Sequence, residues 1–356
     1  MTKSTKYTFI ILSVTICLFF NNISLAEDTD YKIVDSSEVP DILSAMASAT
    51  QSNFEKIRTW EGRVTNETLF MIRGEQAGEY LTKFTDAEPN QCPNEIQQLS
   101  DSTVEFKIDL LNNRFFSLLD RPEPFIYLDL NSKKTYLSKS GSTEIIQIVT
   151  PEHQIDISPL SKPKNHVVLD RTAIIKQPRP THRTDPREVF YSGNRTIWKT
   201  LSMFAQSLQT SGIETYGIIL KEKSEGDHIL YRLEISMPGQ NEPFSILVFD
   251  SEAGFNPVYI ENRYEQDGSL RSKITNEFAA IQDVFLPVKW EISQYFPDGG
   301  LMRREICTIE EQQINTAIPS RTFSELTYLK EGDQIRDEIQ NKKYTIKAGK
   351  LVENTK

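Results

Sequence analysis

The tightest constraint on this fold is the recurrence of short runs in which apolar and polar residues alternate, separated by turn signals. A side-chain period of two is what a strand with one buried face requires, and a helix does not supply it. Val104, Phe106, Ile108 and Leu110 alternate with Glu105, Lys107 and Asp109. Ile229, Tyr231, Leu233 and Ile235 repeat the pattern around Arg232 and Glu234, and Phe244, Ile246 and Val248 repeat it again. The clearest stretch follows. Residues 258–265 lead through Asp267-Gly268 into 270–278, and 284–295 lead through Pro297-Asp298-Gly299-Gly300 into 301–309. Turn residues between alternating runs predict hairpins. The expected fold class is mainly β with flanking α-helices, on a large, sequentially connected antiparallel sheet.

Two segments follow a helical period instead. The first, about 41–58, carries Leu43, Met46, Ala47, Phe54 and Ile57 at helical spacing, with Pro40 and Asp41 suited to an opening turn. The second, about 195–211, carries Ile197, Leu201, Phe204 and Leu208, with Gly212 as a stop. One apolar face each predicts packing against the sheet. Between 150 and 187 the alternation lapses among Pro151, Pro159, Pro163, Pro178, Pro180 and Pro186. This Pro-rich excursion reads either as a linker between two sheet-rich halves or as a long path over one sheet, with short strands around Val167-Val168-Leu169. The basic tail 346–356, with Lys347, Lys350 and Lys356, is expected to fray.

The N-terminus reads as an address. Lys3 and Lys6 precede an apolar run over 9–20, Asn21 and Asn22 break it, and Ser24-Leu25-Ala26 supplies small residues for cleavage between Ala26 and Glu27. A signal peptide 1–26 leaves 356 − 26 = 330 residues, of which 27–345 form the β domain. The run is shorter than the ~20 residues of a comfortable span, and no other stretch is apolar enough to cross a bilayer. The expected location is therefore periplasmic or secreted, not membrane-spanning after cleavage. Lys and Arg number 40 against 50 Asp and Glu, and loss of the two leader lysines takes the charge from −10 to 38 − 50 = −12. That balance excludes a nucleic-acid partner, which is held through phosphates by Lys and Arg. Export would permit one disulfide, between Cys92 and Cys307. The alternative is two separate cysteines, Cys307 buried in a strand and Cys92 in a polar loop. Asn66-Glu67-Thr68 and Asn194-Arg195-Thr196 match the glycosylation sequon.

Catalytic chemistry is missing from the motifs. The four histidines, His153, His166, His182 and His228, form no HExxH pair, and Cys92 and Cys307 lack CxxC partners. No GxSxG elbow or Gly-rich phosphate loop occurs. No catalytic residue, metal ligand or cofactor is assigned, and His228, in Gly226-Asp227-His228, reads as a turn-exposed histidine. Paired carboxylates for glycoside cleavage are available in any acidic chain, so they distinguish nothing.

The order of elements carries a resemblance. Residues 53–62 (Asn53-Phe54-Glu55-Lys56-Ile57-Arg58-Thr59-Trp60-Glu61-Gly62) lead from a helix into the first long strand. Residues 283–290 (Asp283-Val284-Phe285-Leu286-Pro287-Val288-Lys289-Trp290) form a leucine-proline-x-lysine segment, and Ile314-Asn315-Thr316-Ala317-Ile318-Pro319 precedes Phe323, with Glu331-Gly332-Asp333 beyond. In this order they resemble the periplasmic lipoprotein-carrier (LolA/LolB-type) superfamily, as a large divergent member. The resemblance implies a curved antiparallel sheet, an unclosed half-barrel, whose apolar concave face holds a lipid, a lipoprotein acyl chain or another hydrophobic envelope component, without enzymatic activity and without a cofactor. It also implies lining residues. Phe106, Ile108, Tyr231, Leu233, Phe244 and Ile246 come from the earlier strands, and Leu286, Val288 and Trp290 from the later ones. Leu43, Met46 and Phe54 would form the lid. Arg63 and Arg73 are the nominal counterparts of the carriers' cargo-contacting basic residue. An envelope protein-interaction or stress-sensing module on the same fold, and a secreted hydrolase using paired carboxylates, are the alternatives.

Overall fold

The computed structural model describes residues 30–87, 93–121, 126–129, 133–137, 143–159, 171–176, 191–192, 195–210, 216–225, 228–240, 242–324 and 327–354. The leader with Ala26 and Glu27, Cys92, and Val167-Val168-Leu169 lie outside them. Three helices occur among the described residues: α1 (Val39–Glu55), α2 (Glu75–Phe84) and α3 (Ile197–Gln209). The N-terminal strands are β1 (Lys32–Ile33), β2 (Thr59–Arg73), β3 (Glu95–Asp109), β4 (Arg114–Arg121), β5 (Ile126–Asp129), β6 (Thr135–Leu137) and β7 (Thr143–Val149). Next come β8 (Gln154–Pro159), β9 (Arg171–Lys176), β10 (Tyr191–Ser192), β11 (Arg195–Thr196), β12 (Gly217–Glu225), β13 (His228–Ser236) and β14 (Ser245–Asp250). The C-terminal strands are β15 (Asn256–Arg263), β16 (Leu270–Ile281), β17 (Val284–Tyr295), β18 (Leu301–Ile314), β19 (Gln334–Asp337), β20 (Lys342–Lys347) and β21 (Lys350–Glu353).

Among the described residues nineteen strands join one sheet; β10 and β11 pair separately ahead of α3. From the β1 edge the path runs through β12 to β18 as an unbroken meander, then returns to β2 and β3. At β3 it forks. Residues 103–109 pair with β4, and 96–99 pair with β5, which leads to β6. Beyond β4 the path continues through β7, β8, β9, β19 and β20 to β21. Every pairing is antiparallel except β9 with β19. Among the described residues β1 and β21 do not pair with each other, so the sheet stays open.

One core cluster draws side chains from ten adjacent strands, β12 through β4, together with α1 and α3. Laid flat, ten strands would span about 43 Å, twice the width of two helices side by side. Contact with a single helix pair therefore requires the sheet to curl around it. Parity supports this: in register, Leu220, Leu233, Leu247, Ile260 and Ile274 face inward together, as do Cys307, Ile309 and Val64. A second cluster sits on the opposite face, where Phe116, Ile148, Ile155, Ile335 and Ile346 meet Phe323. A third buries α2 through Ala77 and Leu81 against Ile72, Ile96 and Tyr127.

Several expectations change. The Pro-rich excursion contains β8 and β9, both strands of the main sheet; Ile155 and Ile157 alternate there with polar residues, and Pro159 closes the strand, a position where a missing N–H is tolerated. Of the tail, Ile346 and Lys347 complete β20, and Lys350–Glu353 pair back on it as β21. The spacing of Ala77, Leu81 and Phe84 is the signal for α2, which the alternation argument passed over. His228 is not turn-exposed: it is half-buried, with Nε2 2.7 Å from Asp250 Oδ1. Asn66 is buried and donates to Glu305 Oε1 at 2.8 Å, so that sequon is inaccessible in the fold.

Candidate functional site

The concave face is the candidate site, and it is filled. Leu43 and Met46 of α1 meet Phe106, Ile108, Leu233, Leu286 and Trp290 of the sheet in one core. Phe54, Tyr231 and Phe244 pack at its margin, Phe54 lying 5.0 Å from the Trp198 ring of α3. The concave face is therefore a closed core, because two amphipathic helices supply the hydrocarbon that a ligand would otherwise supply. Two expected lining residues are not part of this core. Ile246 is in register with Glu234 and Glu261 on the convex face, and Val288 sits at the bulge where the β16–β17 register shifts. Two described surface grooves, of about 350 Å³ and 230 Å³, lie off this face. They are polar: Glu242, Arg263 and Asp267 border one, Glu61, Glu105 and Lys107 the other. Three of their carboxylates are engaged, Glu61 by Lys107 and Thr316, Glu105 by Arg63, and Asp267 by Ser269. Among the described residues no cluster of His, Cys, Asp or Glu suits a metal ion, and no helix is long and apolar enough to cross a membrane.

Three of the segments that carried the resemblance, 53–62, 283–290 and 314–319, meet at one rim, where α1 ends. Asn53, buried in α1, accepts from Phe285 N and donates to Phe285 O, both at 2.8 Å, so its amide completes a rung at the start of β17. Thr50 Oγ1 donates to Phe255 O at 3.0 Å. Lys56 Nζ donates to Asp283 O, and Asn315 holds the α1–β2 junction by accepting from Arg58 N and donating to Lys56 O. Trp60 Nε1 donates to Gln312 Oε1, and Gln312 donates to Pro287 O. The pattern had marked none of Thr50, Asn53 or Gln312 as functional, since each is an ordinary polar residue until the fold brings it to another backbone.

The helix is thus docked in two styles. Its N-terminal half buries Leu43 and Met46 in hydrocarbon, while its C-terminal half combines the packing of Phe54 with hydrogen bonds from Thr50 and Asn53. Next to Phe255, Asn256 donates its amide N–H to Ala253 O, and Asn276 donates to Pro257 O.

Arg63 and Arg73 do not reach the concave core. Arg63 pairs with Glu105, and Arg73 pairs with Glu95 and Asp298 beneath the Phe296 ring. Cys307 is a buried free thiol inside the core, 3.9 Å from Glu305 Oε1. Burial first, and then the Glu305 carboxylate, push it far above the ordinary thiol range. Tyr231 is raised in the same way, by burial and then by Glu222.

No protein-family model matches the chain, and no curated protein matches its sequence. Two solved structures run alongside it over most of its length. One, a DUF1329 family protein from Desulfovibrio piger, is 9% identical and covers 81% of this chain and 98% of its own, with a TM-score of 0.35. The other, described as an outer membrane lipoprotein-sorting protein domain from Vibrio parahaemolyticus, is 11% identical and covers 79% and 97%, with a TM-score of 0.33. Likeness at this level carries no functional argument.

Proposed function

We propose that the chain is an exported, non-enzymatic protein that binds a lipid, an acyl chain or another hydrophobic envelope component on the concave face, with α1 and α3 as the cover that lifts. One observation carries the reading. The inner face of an open sheet is apolar across ten strands, yet what covers it is a helix pair rather than a second sheet. The helices present the same hydrocarbon chemistry as an acyl chain, so exchanging one for the other leaves the burial term, about 0.8 kcal/mol per methylene, nearly balanced. The C-terminal half of α1 is tied to the sheet backbone by Thr50 and Asn53, so loss of these bonds is the change that should free the cover.

A fluorescent fatty-acyl probe tests this. The wild-type protein should take up the probe saturably. Asn53→Ala, which removes both hydrogen bonds to Phe285, should raise the apparent affinity about fivefold to tenfold by populating the open state. Failure of both proteins to bind the probe, with a ligand-free native mass spectrum after gentle extraction, would rule out the reading.

A further inference from the structure

We propose that the hairpin β20–β21 is a docking surface for anionic lipid membranes. Register sorts its side chains into two faces. Tyr344, Ile346 and Leu351 lie on one, where Ile346 is buried in the second core. Lys343, Lys347, Lys350 and Val352 lie on the other, with no acidic residue among them. These three lysines are exposed and have no ion-pair partner among the described residues. Lys342, by contrast, pairs with Glu353 at 3.0 Å.

The charge arrangement opposes folding economy. Lys347 stands directly opposite Lys350, and Lys343 directly opposite Arg336 of β19. Like charges facing each other across strands are destabilising, and a chain with 50 acidic against 40 basic residues has acid to place there. Residues 342–354 instead hold four lysines and one glutamate. The surface is also held in place. Ala348 and Gly349 turn with positive φ, and their N–H groups donate to the Glu331 carboxylate at 3.0 and 3.4 Å.

Apolar side chains select the partner. Val352, on the lysine face, is 39% exposed, and Leu351, on the other face of the same last strand, is 42% exposed. Lysines interspersed with exposed aliphatic residues fit a headgroup layer, which takes the charge at the phosphates and the hydrocarbon just beneath. Each lysine near an anionic membrane contributes about fivefold in partition coefficient.

Co-sedimentation of the chain from Glu27 onward, which carries every described element, with phosphatidylglycerol–phosphatidylethanolamine vesicles tests the assignment. Binding should rise with phosphatidylglycerol content and fall with salt. The triple variant K343Q/K347Q/K350Q should bind about a hundredfold more weakly, Val352→Ser should weaken binding with the salt slope unchanged, and Lys289→Gln, at a lysine paired with Glu277, should bind as wild type. Unchanged tryptophan emission shows that the variants remain folded. Wild-type protein that ignores these vesicles, or a triple variant that binds them equally, overturns the proposal. So does wild-type protein that binds polyglutamate and not vesicles. Probe-free vesicles keep this outcome separate from that of the acyl-probe experiment.

Discussion

Asp109 shows how a single buried carboxylate joins distant parts of this fold. It accepts from Asn112 N, Asn112 Nδ2 and Arg114 Nε at 3.1, 2.8 and 3.1 Å, and Arg114 Nη2 also reaches it. Arg114 lies 4.6 Å over the Phe323 ring, so the carboxylate orders the β3–β4 turn and a side chain bearing on the second core. Burial alone would raise its pKa, but the bonds from Asn112 and Arg114 outweigh burial and hold it below the ordinary value. A folded pKa below the unfolded one contributes stability that is complete above the unfolded value, ~3.9, and is lost as pH falls through the folded value. Asp109→Asn should cost about 2 kcal/mol at neutral pH, and urea titrations should show that gap closing in acid. The identity of Asp109 was plain in the sequence. Its partners were plain only in part, because Asn112 and Arg114 are local whereas Phe323 is more than two hundred residues away.

At the scale of elements, strand and hairpin limits were legible wherever turn residues announced them. β17 spans the predicted 284–295, and the Asp267-Gly268 and Pro297–Gly300 turns close as expected. The β16–β17 turn was not announced, since Gln282 and Asp283 take positive φ without a glycine. Gly254 is a sharper case. Its φ of +65° ends the short helical turn Ser251–Ala253, and a Cβ there would stand 2.6 Å from the Phe285 ring. Phe285 has little room to retreat, because Asn53 holds its backbone on both sides. Gly254→Ala should therefore destabilise by about 2–4 kcal/mol, from left-handed strain and overpacking together, readable as a lower denaturation midpoint. α2 and β8 stayed hidden for a different reason: each is short, and one or two turns of periodicity do not outweigh neighbouring glycines and prolines.

For the whole molecule, the consequence of one sheet with cores on both faces is mechanical coupling. β4 sends Phe115 and Leu119 into the helix-covered core and Phe116 into the opposite one. All three tryptophans, Trp60, Trp198 and Trp290, sit in the helix-covered core. Phe116→Ala should cost about 3–5 kcal/mol, and the loss should register in the tryptophan-reported transition although Phe116 touches the other face. An unshifted tryptophan midpoint would mean that the two cores unfold separately. The sequence by itself determined the alternation, the run of strands from β13 to β18, the two amphipathic helices, and the absence of catalytic motifs. These are local facts, set by side-chain period and turn chemistry within a few residues. Only the tertiary structure decided that β2 and β3 complete the sheet beside β18, that the apolar face is filled by its own helices, and that three lysines share one face of the last hairpin. Those outcomes depend on pairing between residues far apart in the chain. Strand register converts a one-residue difference into the opposite face of the sheet, and no local pattern specifies which distant strand arrives alongside.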